Sequence, residues 1–228
     1  MTFAKLLPAL AAAALAWGGD ALEDARNRQD RGYIHSAVLQ ADAAAKRSPK
    51  DAAAQYRLAL AQSVRSEVAL EVHDKTVAQS AAEDGIAAAQ RAVKLDPRVA
   101  EYHRMLGTLC GQAIPAKVLL ALRYGGCART EISRAIELDG RSAKAYLSRG
   151  VGNYYLPSGM GGGYGLALRD FERAIELDPK LADAYLWRGI ALRQLHRDAE
   201  AYRSIARSLE LNPARVWAQQ QLAKTPKQ

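Results

Sequence analysis

Five short phrases punctuate this chain, and each reads as the end of a helix followed by a stop. Residues 92–97 (AVKLDP), 135–140 (AIELDG), 174–179 (AIELDP) and 208–213 (SLELNP) are near copies, and 44–49 (AAKRSP) is a degenerate one. In each, an amphipathic run meets Pro or Gly, which ends the helix. A new apolar-periodic stretch then begins within two or three residues. A chain written this way is an array of units that cannot bury their faces singly and must stack. The composition agrees. Apolar residues make up 49% and charged residues 25%, which is the balance of a folded chain rather than a disordered one. Aromatics are only 7%, and Ala, the strongest helix former, recurs in runs at 11–14, 43–45 and 87–89. These features point to an all-α fold and away from a sandwich or barrel.

Aligning the stops divides the chain into units 18–51, 52–99, 100–142, 143–181 and 182–215, with a polar last helix at 216–224 that would cap the array. The last full unit spans 34 residues and places Tyr185, Gly189, Leu192, Ala201, Ile205 and Pro213 at positions 4, 8, 11, 20, 24 and 32. Small residues at positions 8 and 20 let two antiparallel helices approach, and large ones at 4, 11 and 24 fill the space between them. The three middle units run to 48, 43 and 39 residues, so their hairpins are elongated. The first unit is the least regular. Its leading helix is confined to 20–29, with Asp20 suited to an N-cap.

This pattern closely resembles the tetratricopeptide repeat (TPR). The resemblance covers nearly all of residues 18–224 and implies a right-handed superhelical solenoid of antiparallel helix pairs. Residues 102–114 (YHRMLGTLCGQAI), 116–138 and 153–163 (NYYLPSGMGGG) further resemble a group of exported bacterial TPR proteins. That likeness implies a cell-envelope interaction protein and names no partner.

The first sixteen residues, MTFAKLLPALAAAALA, stand apart. Lys5 precedes an apolar run too short to span a bilayer, and Ala14-Leu15-Ala16 suits a signal peptidase. The expectation is a signal peptide over 1–16, a mature chain from Trp17 without a transmembrane segment, and a periplasmic or exported location.

No constellation for catalysis, cofactor or metal emerges. The loop 159–165 (GMGGGYG) lacks the Lys-Ser or Lys-Thr of a phosphate loop, and Tyr164 stands where a dinucleotide fingerprint needs its third Gly. It reads as a turn that admits positive φ before a helix restarting at Leu166. His35, His73, His103 and His196 have no metal-ligand spacing, and His103 falls on a core-facing slot. The net charge is +8, but the signs are interspersed along helix faces and no basic block of five occurs. That argues against nucleic acid and for attraction to an acidic partner or surface. Cys110 and Cys127 lie toward one end of a hairpin. Either they bridge, closing a loop of 17 residues, or they stay as two buried thiols.

In TPR arrays the first helix of each pair lines the concave face. The resemblance therefore implies a groove offering Tyr56, Arg104, Lys144, Tyr154, Tyr155, Leu186 and Arg193, a mixture of aromatic, apolar and basic groups that suits interface anchors. The expected function is a non-enzymatic protein–protein scaffold of the bacterial envelope, binding a peptide or partner protein in that groove. The alternative is a periplasmic component that binds a small ligand and serves a transporter. Self-association through an open solenoid end is the remaining expectation.

Overall fold

The computed structural model describes residues 19–116 and 119–227; the expected signal peptide, with Lys5 and the new terminus at Trp17, lies outside them. The described residues form helices α1 (Gly19–Arg28), α2 (Arg31–Arg47), α3 (Ala52–Glu71), α4 (Lys75–Leu95), α5 (Ala100–Ala113), α6 (Leu120–Leu138), α7 (Ala143–Tyr155), α8 (Tyr164–Leu177), α9 (Ala182–Gln194), α10 (Asp198–Leu211) and α11 (Val216–Ala223). Asp20 sits inside the first turn of α1 rather than ahead of it. Among the described residues, no helix is long and apolar enough to cross a membrane.

The recurring phrases do more than stop helices. Leu95, Leu138 and Leu177 end α4, α6 and α8, and the following Asp96, Asp139 and Asp178 turn extended. Each Asp carboxylate then accepts the amide two residues on, from Arg98 at 3.2 Å, Arg141 at 3.0 Å and Lys180 at 3.0 Å. These are Asx turns, and they set the same exit angle three times. The turns inside the hairpins have a different shared device. Gln29, His73 and His196 take left-handed φ of 56°, 62° and 58°. The amides after them reach back to Ala25, Ala69 and Leu192, closing Schellman motifs after α1, α3 and α9. Two of the four histidines therefore serve as helix-ending turn residues.

In three of the hairpins the position-8 residue is a glycine at a contact point. A Cβ on Gly107, Gly150 or Gly189 would lie 2.6 Å from Ile132, 2.5 Å from Phe171 or 2.4 Å from Ile205. The elongation takes different forms. In 52–99 it lengthens the helices themselves, to 20 and 21 residues against 13 and 14 in α9 and α10. In 143–181 it becomes the Gly-rich turn. Gly161 and Gly163 have φ of 83° and 107°, and a Cβ on Gly162 would meet the Leu156 carbonyl at 2.3 Å. Helix α8 then starts at Tyr164, two residues ahead of the expected Leu166.

The first helices of successive pairs pack on one another, α3 on α5, α5 on α7 and α7 on α9, while contacts between successive second helices are sparser. The first helices thus form the inner layer and the second helices the outer one. In addition, α1 touches α11, so the two ends of the array meet. The apolar core is not continuous around the array. One cluster runs from Leu22 of α1 to Tyr124 of α6, and two more occupy the stretch from α7 to α11.

Candidate functional site

The inner layer carries two polar networks. The first crosses its wall. Tyr56 on α3 donates to Glu101 on α5 at 2.7 Å, and Glu101 accepts from Arg104 at 2.6 and 2.5 Å. Thr108 and Ser148 then share a hydrogen bond of 3.0 Å between α5 and α7, with Ser63 and Gln112 joined at 3.1 Å beside them. Burial by itself raises the Glu101 carboxyl; the Arg104 guanidinium more than offsets that, and its pKa ends below the usual range. Burial, and Glu101 itself, push the Tyr56 phenol upward.

The second network closes the array. Arg26 on α1 donates to Glu67 at 2.8 Å, to Glu23 at 2.6 Å and to Asp183 on α9 at 2.5 Å. Arg215, at the start of α11, donates to Glu67 at 2.9 Å and grips both oxygens of Glu71. Asn212 donates to Asn27 at 3.1 Å across the same boundary. The Arg215 side chain is only 1% exposed, and its Nε has no hydrogen-bond partner among the described residues. Burial opposes ionisation of Asp183, but Arg26 and then Arg215 hold its pKa below the usual range. Glu71 goes the other way: burial and the adjacent Glu67 outweigh the pull of Arg215.

The seven expected groove residues divide sharply against this background. Lys144 is exposed, and Tyr155 is 60% exposed. Tyr154 is half-buried. Its ring lies 5.0 Å from that of Tyr155 and 5.6 Å from that of Trp187, and Trp187 continues the series to Trp217 at 5.2 Å. Tyr56 and Arg104 reach the inner layer but are engaged with Glu101. Arg193 is not a free anchor: it holds the C-terminal segment, donating to Gln221 at 2.7 Å and to Thr225 at 2.9 Å. Leu186 is corrected outright. It is 0% exposed and packs with Ile190, Ile205 and Ala218, because α11 covers the face it would otherwise present.

Cys110 and Cys127 are joined in a disulfide, which ties α5 to α6. It borders a cleft of about 400 Å³ with Glu83, Arg123 and Tyr124. A second cleft, of about 290 Å³, has Arg31, His35 and Arg65 around an apolar floor of Ile34, Val68 and Val77. His103 is buried between the Glu131 carboxylate, 2.6 Å away, and the Pro97 carbonyl, 2.9 Å away, so it is a packing and tethering residue. No group of three or more potential metal ligands occurs among the described residues.

Sequence reasoning missed the closing network. Arg26, Glu67, Glu71 and Arg215 look like ordinary helix-surface charges, and their charged partners lie up to 157 positions away. The one available signal was Asp183, which occupies an inner-face position of its repeat.

The fold is that of TPR solenoids. The chain is similar in structure to TTC0263, a thermophilic TPR protein of Thermus thermophilus, with a TM-score of 0.64 at 19% identity over 85% of this chain and 90% of that one. Weaker likenesses are to MamA, with a TM-score of 0.45 at 21% identity over 86% of this chain and 95% of that one. YrrB, described as a TPR protein with an unusual peptide-binding site, also scores 0.45, at 19% identity over 85% of each chain. No protein-family model matches the chain, and no curated protein matches it.

Proposed function

We propose that this protein is a non-enzymatic scaffold of the bacterial cell envelope that holds a peptide or partner protein against the exposed aromatic edge of its inner layer. The observation that carries this reading is Tyr155. It is a large ring left 60% exposed at the end of α7, yet fixed by Tyr154 and by Trp187 at 6.0 Å. A rigid aromatic with an open face gives contact area at small entropic cost, which is what interface anchors need. The net charge, +8 for the full sequence and one less without Lys5, favours a partner that is acidic overall. The envelope location rests on the sequence of residues 1–16 and on the resemblance of residues 102–163 to exported bacterial TPR proteins.

The test is a photo-reactive amino acid in place of Tyr155 in the native cell, with mass spectrometry of the adduct and of the mature N-terminus. A discrete envelope-protein adduct on a chain starting at Trp17 is the expected result. A folded chain that yields no protein adduct contradicts the scaffold reading. An unprocessed chain contradicts the location.

A second reading is kept because of the basic cleft. Arg65 and His35 around an apolar floor, with Arg31 at the rim paired to Asp74 at 2.8 Å, suit a small acidic ligand with an apolar body, as a transporter-linked binding component would carry. Native mass spectrometry of gently purified protein separates the two: a co-purifying small acid supports this reading, and its absence favours the scaffold.

A further inference from the structure

An open solenoid makes contacts only between neighbouring units. Here the first and last helices are joined, and the character of that junction is informative. Every hydrogen bond and ion pair described across it involves a charged or amide side chain: Arg26 with Asp183, Arg215 with Glu67, Glu71 and the Arg26 carbonyl, and Asn212 with Asn27. Among the described residues no apolar cluster spans it, because the α1–α6 core and the α9–α11 core are separate. A junction of this kind opens without exposing core, as polar interfaces within a chain do. The core is also broken between α6 and α7, in the middle of the array, which is where a hinge would sit.

The acidic groups themselves are a receptor for guanidinium. Glu67 and Glu71 on α3, with Asp183 opposite, hold two arginines that approach from the two ends of the chain. Carboxylates and guanidinium match as paired, charge-assisted hydrogen bonds. The fit of Arg215 is incomplete, since its enclosed Nε lies 3.8 Å from Asp183, an ion pair without a hydrogen bond. Helix α1 shows the ligand shape that fits: Arg26 with Ala25 before it and Leu22 one turn earlier, both buried. When the α11 side swings away, Glu67 keeps Arg26, while Glu71 keeps the Gln29 amide and loses its guanidinium.

We infer that this junction is a latch, and that the site on α3 beneath it accepts an arginine-bearing segment of a partner, for which Arg215 is the resident occupant. The inference rests on the scaffold reading and adds the local chemistry of the partner: cationic at this point, whatever its overall charge.

The probe is a fluorescent peptide, acetyl-LEDARN-amide, copying residues 22–27. It is titrated against the wild-type chain, against an Asn27→Cys/Asn212→Cys variant oxidised across the junction, and against each single cysteine variant. Asn212→Ala, which loosens the latch and leaves every charged group in place, is the fourth protein. The latch predicts about tenfold weaker binding to the crosslinked chain than to the single variants, within the usual range of conformational coupling. It also predicts tighter binding to Asn212→Ala than to wild type, and loss of binding by a LEDAAN peptide. Equal binding to crosslinked and uncrosslinked chains overturns it, as does equal binding of LEDAAN, absence of binding to all of these proteins, or failure of the crosslink to form. None of these outcomes alters crosslinking at Tyr155, so the latch and the scaffold reading fail separately.

Discussion

Arg215 is the residue on which most of the closing network depends. It is nearly solvent-free, and it grips Glu71 while sharing the neighbouring Glu67 with Arg26. Removing one partner of a buried ion pair strands the other, at a cost of about 3–5 kcal/mol. Arg215→Ala is therefore expected to lower the urea midpoint by a corresponding amount, and a midpoint equal to wild type would contradict the burial described. Acid has a definite sign at the same place. Asp183 and Glu101 have folded pKa values below their usual ones. Their stabilisation is complete above the unfolded values near pH 4 and is lost as pH falls through the depressed folded values. Glu71, raised, works in the opposite direction and stabilises on protonation. Urea midpoints measured from pH 5 down to pH 2.5 should fall, and Glu71→Gln should remove the opposing Glu71 part of that profile. The left-handed histidines give a simpler test. A non-glycine residue at positive φ costs about 1–2 kcal/mol, so His73→Gly and His196→Gly should each raise stability by about 1 kcal/mol in the same assay. Sequence alone does not show these roles, because an αL position looks like any other polar turn residue.

At the scale of helices and hairpins the sequence was far more readable. The stops at Pro49, Pro97, Pro179 and Pro213, the position-8 glycines and the apolar spacing carry the hairpin pattern, because each acts through a contact with a near neighbour. Gly150 illustrates this. A methyl there meets Phe171 at 2.5 Å, and Phe171 is fully buried. Gly150→Ala should destabilise by about 1–3 kcal/mol through overpacking, while Gly152→Ala, half a turn away with open space around it, should not. Differential scanning calorimetry of the two variants checks the contrast. The cysteine pair was legible as a choice between two states, and the structure takes the bonded one. Cys110→Ala with Cys127→Ala should cost about 3 kcal/mol in the chain-entropy account, since the bridge closes a separation of 17 residues. What the sequence could not show was which slots stay open. Leu186 and Arg193 occupy inner-face positions by count, but the following helix and the C-terminal segment cover them. A repeat count describes a helix facing a groove, and near the end of an array the next helix fills that groove.

For the whole molecule, the decisive property is that an array built from neighbour contacts also bonds end to end. Nothing in a repeat alignment encodes this, because it depends on superhelical closure, the sum of small rotations over all the units. The result is a protein whose inner layer is largely satisfied by its own side chains, with an aromatic edge at Tyr155 left outside. The most direct measurement of this account is a spin-label distance across the junction, with Asp24→Cys on α1 and Gln220→Cys on α11, both exposed and clear of the network. The native cysteines are bonded to each other and do not take label. A closed array predicts one short, narrow distance distribution for the protein alone. A broad distribution centred at long distances would show an open solenoid and contradict the account.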